Sequence, residues 1–477
     1  MILTCTRCKK RHLKCDDQLP SCANCNGTGS ECVYYDPAVA EYVSRKEIHD
    51  LQRRLEQLEN TRKQTEAKLV SPREFLFSTG KSHLEVTTHL YLGKFTPGNI
   101  FIWAMQQCGR QCDIDLSKAE PRYECASTVK FDKAMLTPSI TRILVDNYFE
   151  NINFKFRIFE RPFFDFDVQV RNLPSRRCLL VVLALAISSA QYMRKDPNFV
   201  PITLLLTQWA QTGIPECVAE YNSDSLTVMV LSCLLQMLHP TGQDLWYTLG
   251  LCCRFCLGQG IPKETEDATT FEKTLSVLYD IEEEVALSLG RVPMLQAYNI
   301  HQMKSNVSGL HSVSLTVQLF KKIYDRQEQE CPYDDDLNHF LRTHMDTLTS
   351  DPKSCVLLAF ITAHSCSICP PSIAQVVIPL VVVGSMNIIK SAYESIRNEN
   401  MISCWLETIK VFNAGCTLFT IYQKHSHEAM DFSNIAITEQ QILQHLSLAE
   451  TALDYTSRYW RDGIRYKYAF KSLVQSS

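Results

Sequence analysis

From Ser71 onward, apolar residues recur at the three- and four-residue spacings of a helix face, in blocks broken by proline and glycine. The alternation of a half-buried strand is scarce. The pattern predicts a mostly α protein with a large all-α region over 71–477. Two blocks are apolar almost throughout, CLLVVLALAISSA at 178–190 and IAQVVIPLVVVGSMNII at 373–389. The first is too short to span a bilayer, and the second is interrupted by Gln375, Pro379, Gly384 and Asn387. Both are expected to be buried helices, and no membrane is expected among the partners. Further upstream, Ile48, Leu51, Leu55 and Leu58 fall at a and d positions over about two heptads. They predict a short dimerisation helix within a 36–70 linker, although an ordinary amphipathic helix would show the same spacing. Pro37 argues against a helix running unbroken out of residues 1–35.

Residues 1–35 follow neither period. Their large apolar residues are few (Leu13, Leu19, Val33), but the stretch CTRCKKRHLKCDDQLPSCANCNGTGSEC at 5–32 holds six of the 21 cysteines. The spacing repeats: Cys5-x2-Cys8-x6-Cys15, then Cys22-x2-Cys25-x6-Cys32. A CxxC loop lets two thiolates chelate one metal ion. Two tetrahedral zinc ions need eight ligand positions, and six cysteines fill them when two thiolates bridge both ions. Disulfides would suit a secreted miniprotein, for which no secretory signal is seen. Iron–sulfur clusters use other spacings. Two zinc ions are therefore the expected cofactor, with metal binding driving the folding of a segment too poor in apolar residues to fold alone. The remaining cysteines are expected to be reduced thiols.

Charge separates this head from the rest. The chain of 477 residues carries a net −4, yet residues 1–15 hold Arg7, Lys9, Lys10, Arg11 and Lys14 and no acid. Some positive charge would compensate the thiolates, but this much in so short a stretch indicates a polyanion-binding tip. KKRHLK at 9–14 contains good helix formers and is expected to lie on one short helix. NGTGSE at 26–31 has two glycines and no cation, so its helix should be short or irregular.

The six cysteines, RHLKCD at 11–16 and Pro20, two residues before Cys22, resemble the fungal binuclear zinc cluster family of transcription factors. The resemblance implies a helix entering the major groove of double-stranded DNA to read a CGG-type triplet. It implies bridging by Cys5 and Cys22, base contacts from Arg11 and His12, and phosphate contacts from Lys9, Lys10 and Lys14. A charged fork such as Arg11 suits guanine O6 and N7, whereas histidine is a weaker, pH-sensitive donor. The bland alternative is that all these cations track phosphates. Further implications are a nuclear homodimer that regulates RNA polymerase II transcription with coregulators, commonly of a metabolic or secondary-metabolite gene cluster. Segments at 145–164, 245–262 and 278–293 resemble the same family's middle-homology regulatory domain. Trp246, Gly250, Arg254 and Gly260 keep its W-x3-G-x3-R-x5-G run; Pro262 and Glu284 depart from it. The competing class is a zinc-stabilised adaptor whose basic head binds RNA or acidic proteins.

Other candidates are weaker. HSCSIC at 364–369 and Cys252, Cys253 and Cys256 are read as packing thiols, and DRQEQECPYDDD at 325–336 as a solvated loop. No ordered catalytic constellation, glycine-rich phosphate loop or short repeat is visible, so the protein is not expected to be an enzyme.

Overall fold

The computed structural model describes residues 4–36, 41–47, 49–51, 53–54, 96–109, 135–164, 175–220, 222–239, 245–259, 266–297, 318–319, 322, 339–340, 343–344, 371–428, 437–460 and 462–475. The chain divides into two compact units, Met1–Ser71 and Pro72–Ser477.

The smaller unit begins with two short helices, α1 (Thr6–Lys10) and α2 (Ala23–Asn26), each starting directly after a cysteine in extended backbone. An antiparallel hairpin follows, β1 (Val33–Asp36) and β2 (Glu41–Ser44), in the register Val33↔Ser44 to Asp36↔Glu41. This hairpin has no signature in the apolar pattern, because four-residue strands are too short for alternation to show. The described residues among 45–54 are helical. Of the expected dimerisation positions, Leu51 is 59% exposed, and Ile48, Leu55 and Leu58 lie outside the described residues.

The described parts of the larger unit are helical, as the apolar periodicity implies. In chain order they are α3 (Pro97–Gln107), α4 (Pro138–Asn147), α5 (Asn153–Phe156), α6 (Ser175–Tyr192), α7 (Val200–Ala219), α8 (Ser223–Leu238), α9 (Leu245–Gln259), α10 (Glu266–Leu289), α11 (Met294–Ala297), α12 (Pro371–Arg397), α13 (Cys404–Glu428), α14 (Glu439–Tyr459) and α15 (Gly463–Gln475). One bundle gathers α6, α7, α9 and α10 around α8, and another gathers α3, α12, α14 and α15 around α13; α8 and α13 also touch each other. α8 and α13 are buried along most of their length because the other helices surround them. The 178–190 run lies in α6, and Leu179–Ile187 are buried. The 373–389 run lies in α12, which continues through Pro379. Among the described residues no helix is long and apolar enough to cross a membrane.

Polar bonds stitch these helices at chosen points. Arg194 donates to the carbonyls of Leu238, Met401 and Ile402, joining the segment after α6 to the ends of both central helices. Gly415 lets α13 and α15 approach: a Cβ there would lie 2.7 Å from the Phe470 ring. Cys252, Cys253 and Cys256 are buried on α9, with the Cys252 sulfur 3.6 Å from Cys233, in keeping with packing thiols. Trp246 receives the Arg291 guanidinium 5.1 Å from its ring, and Gly250 faces Met294. Glu284 is one of the expected departures from the middle-homology pattern. Here it is buried and pairs with Lys410 and Lys155, tying α10 to α13 and α5. Gly260, Pro262, and the 325–336 and 364–369 segments lie outside the described residues.

Candidate metal centre and nucleic-acid interface

The interior of the small unit is made of sulfur. Cys5, Cys8, Cys22, Cys25 and Cys32 are buried, with Cys15 packed partly buried against them, while Leu13 is 42% exposed. Cys5, Cys8, Cys15 and Cys22 place their sulfurs within 4.8 Å of one another, and so do Cys5, Cys22, Cys25 and Cys32. The two groups share Cys5 and Cys22. Individual sulfur–sulfur separations are 4.0 Å for Cys5–Cys22, 3.6 Å for Cys5–Cys25 and 3.7 Å for Cys8–Cys22. These are far beyond a disulfide bond. They match the edge of a tetrahedron of sulfurs about a zinc ion, roughly 3.8 Å for a Zn–S bond of about 2.3 Å. The donor set and its spacing therefore fit two zinc ions.

Backbone geometry explains the sharing. Cys5 and Cys22 are the N-cap residues of α1 and α2, with the same φ of −65° and ψ of 154°. The Cys8 amide donates to the Cys5 sulfur at 3.3 Å. Burial opposes ionisation of Cys5, but the Cys8 amide and neighbouring thiols outweigh it and lower the thiol to about 6. Cys22 is lowered against burial in the same way, through Cys25. Burial chiefly raises Cys8, Cys15, Cys25 and Cys32, the last to about 12.

Residues 3–41 match the family described as "Fungal Zn(2)-Cys(6) binuclear cluster domain". This head is a binuclear zinc cluster domain. Such a domain holds two zinc ions, in keeping with the sulfur geometry. The zinc cluster domain is also similar to Protein STB5 of Saccharomyces cerevisiae, 41% identical over 49 residues, which are 10% of this chain and 6% of the yeast protein. No solved structure matches the chain.

Lys9, Lys10, Arg11, His12 and Lys14 of the zinc cluster domain are all exposed. Their backbone differs from the expected single helix. α1 ends at Lys10, Arg11 caps it, and His12 turns into left-handed backbone with φ 53°. The Leu13 amide then bonds the Cys8 carbonyl and the His12 amide the Lys9 carbonyl. This is a Schellman stop. The physical reason is length: Cys8 and Cys15 must both reach one sulfur group, and an uninterrupted helix would carry residue 15 away from it. Arg11 and His12 consequently project from the helix end, beside carbonyls whose dipole favours cations. The second half is short, as NGTGSE implied, with α2 ending at Asn26.

Three residues have scaffold roles that the sequence does not show. Arg7, counted there among the cations, instead donates to the Asn24 carbonyl at 2.9 Å and links the halves. Asp16 accepts from the Ala23 and Gln18 amides, holding the start of α2. Arg45 is fully buried against the sulfur core. Only the RHLKCD match at 11–16 could have flagged Asp16; spacing carried no signal for Arg45.

Proposed function

We propose that this chain is a zinc-dependent, sequence-specific DNA-binding transcription factor acting in the nucleus on RNA polymerase II transcription. The observation that carries this reading is the division of the basic residues. Arg7 and Arg45 are turned into the scaffold, whereas Lys9, Lys10, Arg11, His12 and Lys14 stand together in solvent at one end of α1. A rigid cationic helix end on a metal-stapled head suits insertion into a DNA groove. In this reading Cys5 and Cys22 bridge two zinc ions, and Cys8, Cys15, Cys25 and Cys32 complete the tetrahedra. Arg11 and His12 read a CGG-type triplet, and Lys9, Lys10 and Lys14 hold phosphates.

One head reads few base pairs, so the protein acts as a homodimer on two half-sites, paired through Ile48, Leu51, Leu55 and Leu58. The exposure of Leu51 supports that pairing. The helical remainder is a middle-homology regulatory domain that contacts coregulators, and the targets are a metabolic or secondary-metabolite gene cluster. The test is fluorescence anisotropy of the 477-residue chain on duplexes with paired CGG triplets and on scrambled duplexes, over a salt series. Tighter binding to the triplets, falling steeply with salt, is expected. Equal binding to both duplexes, or preference for single-stranded RNA, overturns the reading in favour of an adaptor.

A further inference from the structure

Arg45 directly follows β2, and its side chain is fully buried in a unit whose other buried side chains, among the described residues, are cysteines. Its guanidinium donates to the Cys15 sulfur at 3.3 Å and to the Asp16 and Gln18 carbonyls at 2.6 and 3.4 Å. Its amide donates to the Cys32 carbonyl at 2.9 Å. One residue of the exit hairpin thus grips the last cysteine of the first half, the loop joining the halves, and the last cysteine of the second half.

The chemistry of these contacts is specific. Burying a guanidinium is costly unless it meets an anion or a full set of acceptors. Two zinc ions with six thiolates leave a net charge of about −2 on the cluster, and Arg45 is a cation placed inside that charge, against a thiolate. The fork spans sulfur and carbonyl at once, which a lysine ammonium cannot reproduce. The hairpin it anchors is also held by the Thr6 hydroxyl, which donates to the Val33 carbonyl at 3.1 Å.

We infer that Arg45 is a positioning residue: it is the internal counter-ion of the zinc cluster and the tie that fixes the β1–β2 hairpin to the Cys15 side of it. The inference rests on the reading of residues 5–32 as a zinc centre. Two consequences follow from the geometry. The exposed cations of α1 remain available for a polyanion, because part of the cluster charge is neutralised from within. The direction in which residues 45 onward leave the head becomes a property of the loaded centre, so metal occupancy and the geometry of the paired heads are coupled.

The experiment uses the 477-residue chain, its zinc content measured first, with R45Q and R45K beside the parent. Each is challenged with EDTA and pulsed with N-ethylmaleimide, and labelling of Cys15 and Cys32 is read by peptide mass spectrometry. Hydrogen exchange of the peptides covering 33–45 is read alongside. Outer partners of metal ligands typically change affinity at least about 10-fold. R45Q is therefore expected to speed Cys15 labelling about 10-fold relative to Cys32 and to strip protection from the hairpin, with R45K between. Unchanged labelling and exchange in both variants overturns the inference. A rise that is equal at Cys15 and Cys32 also overturns it, since Arg45 would then serve the fold alone. If R45Q purifies without metal, R45K decides by the same comparison. Fewer than two zinc ions in the parent chain would instead overturn the metal reading beneath it.

Discussion

His12 and Gly29 stand at the same place in the two halves of the head, each seven residues beyond a shared cysteine, and both adopt left-handed backbone, with φ of 53° and 62°. The hydrogen bonds repeat as well: Leu13 bonds back to the Cys8 carbonyl, and Ser30 to the Cys25 carbonyl. Glycine takes this conformation freely, while histidine pays about 1 kcal/mol for it. The first half accepts that strain at a position also exposed for contact. H12G is expected to raise the EDTA concentration needed to strip zinc while weakening triplet preference, and H12V to lower both. Loss of zinc in H12G would contradict the conformational role.

Sharing makes two cysteines unlike the other four. C22A removes a sulfur from both groups, and C32A from one. Zinc content by inductively coupled plasma mass spectrometry should fall close to zero in C22A, whereas C32A should keep about one ion per chain. Equal contents in the two variants would refute the shared arrangement.

Arg11 and Lys9 differ in where the helix stop leaves them, Lys9 on the last turn of α1 and Arg11 beyond it. R11A should relax triplet preference by about 1–3 kcal/mol, and K9A should weaken all duplexes alike and flatten the salt slope by about one unit. Anisotropy titrations on matched and scrambled duplexes separate them, and identical behaviour would leave phosphate tracking as the whole interaction.

Glu282 is fully buried on α10, where it accepts hydrogen bonds from the Met294 and Leu295 amides. Burial pushes its carboxyl up to about 7, against the pull of those amides. The folded chain then holds a proton that the unfolded chain releases, so Glu282 costs stability as pH rises from about 4.5 to 7. The full effect is at most about 3 kcal/mol. The urea midpoint of the helical unit should rise on acidification through this window, and E282Q should flatten that slope. An unchanged slope in E282Q would remove Glu282 as its source.

Lys410 joins Glu284 and Glu407 within the helical unit. Burial alone would lower the Lys410 ammonium, but the two carboxylates outweigh it and raise it. K410M leaves the buried Glu284 without this partner and should cost about 3–5 kcal/mol in urea denaturation. K410M/E284Q should recover part of that loss, and failure to recover would indicate that packing dominates.

The sequence by itself determined the features that depend on counting and on period. Cysteine number and spacing match a two-zinc cluster, because coordination number is a local rule. The three- and four-residue apolar spacing required helices, because a helix must bury one face. Tertiary structure decided which residues meet. The cysteine ties stop α1 at Lys10 and force His12 into left-handed backbone, which no propensity of KKRHLK foretells. Arg45 reaches Cys15 across 30 positions because a hairpin folds back, and Arg7 is withdrawn from the cationic tip by a carbonyl in the other half. Those pairings depend on how the chain closes in space, and side-chain chemistry read in order along the chain does not contain that distance.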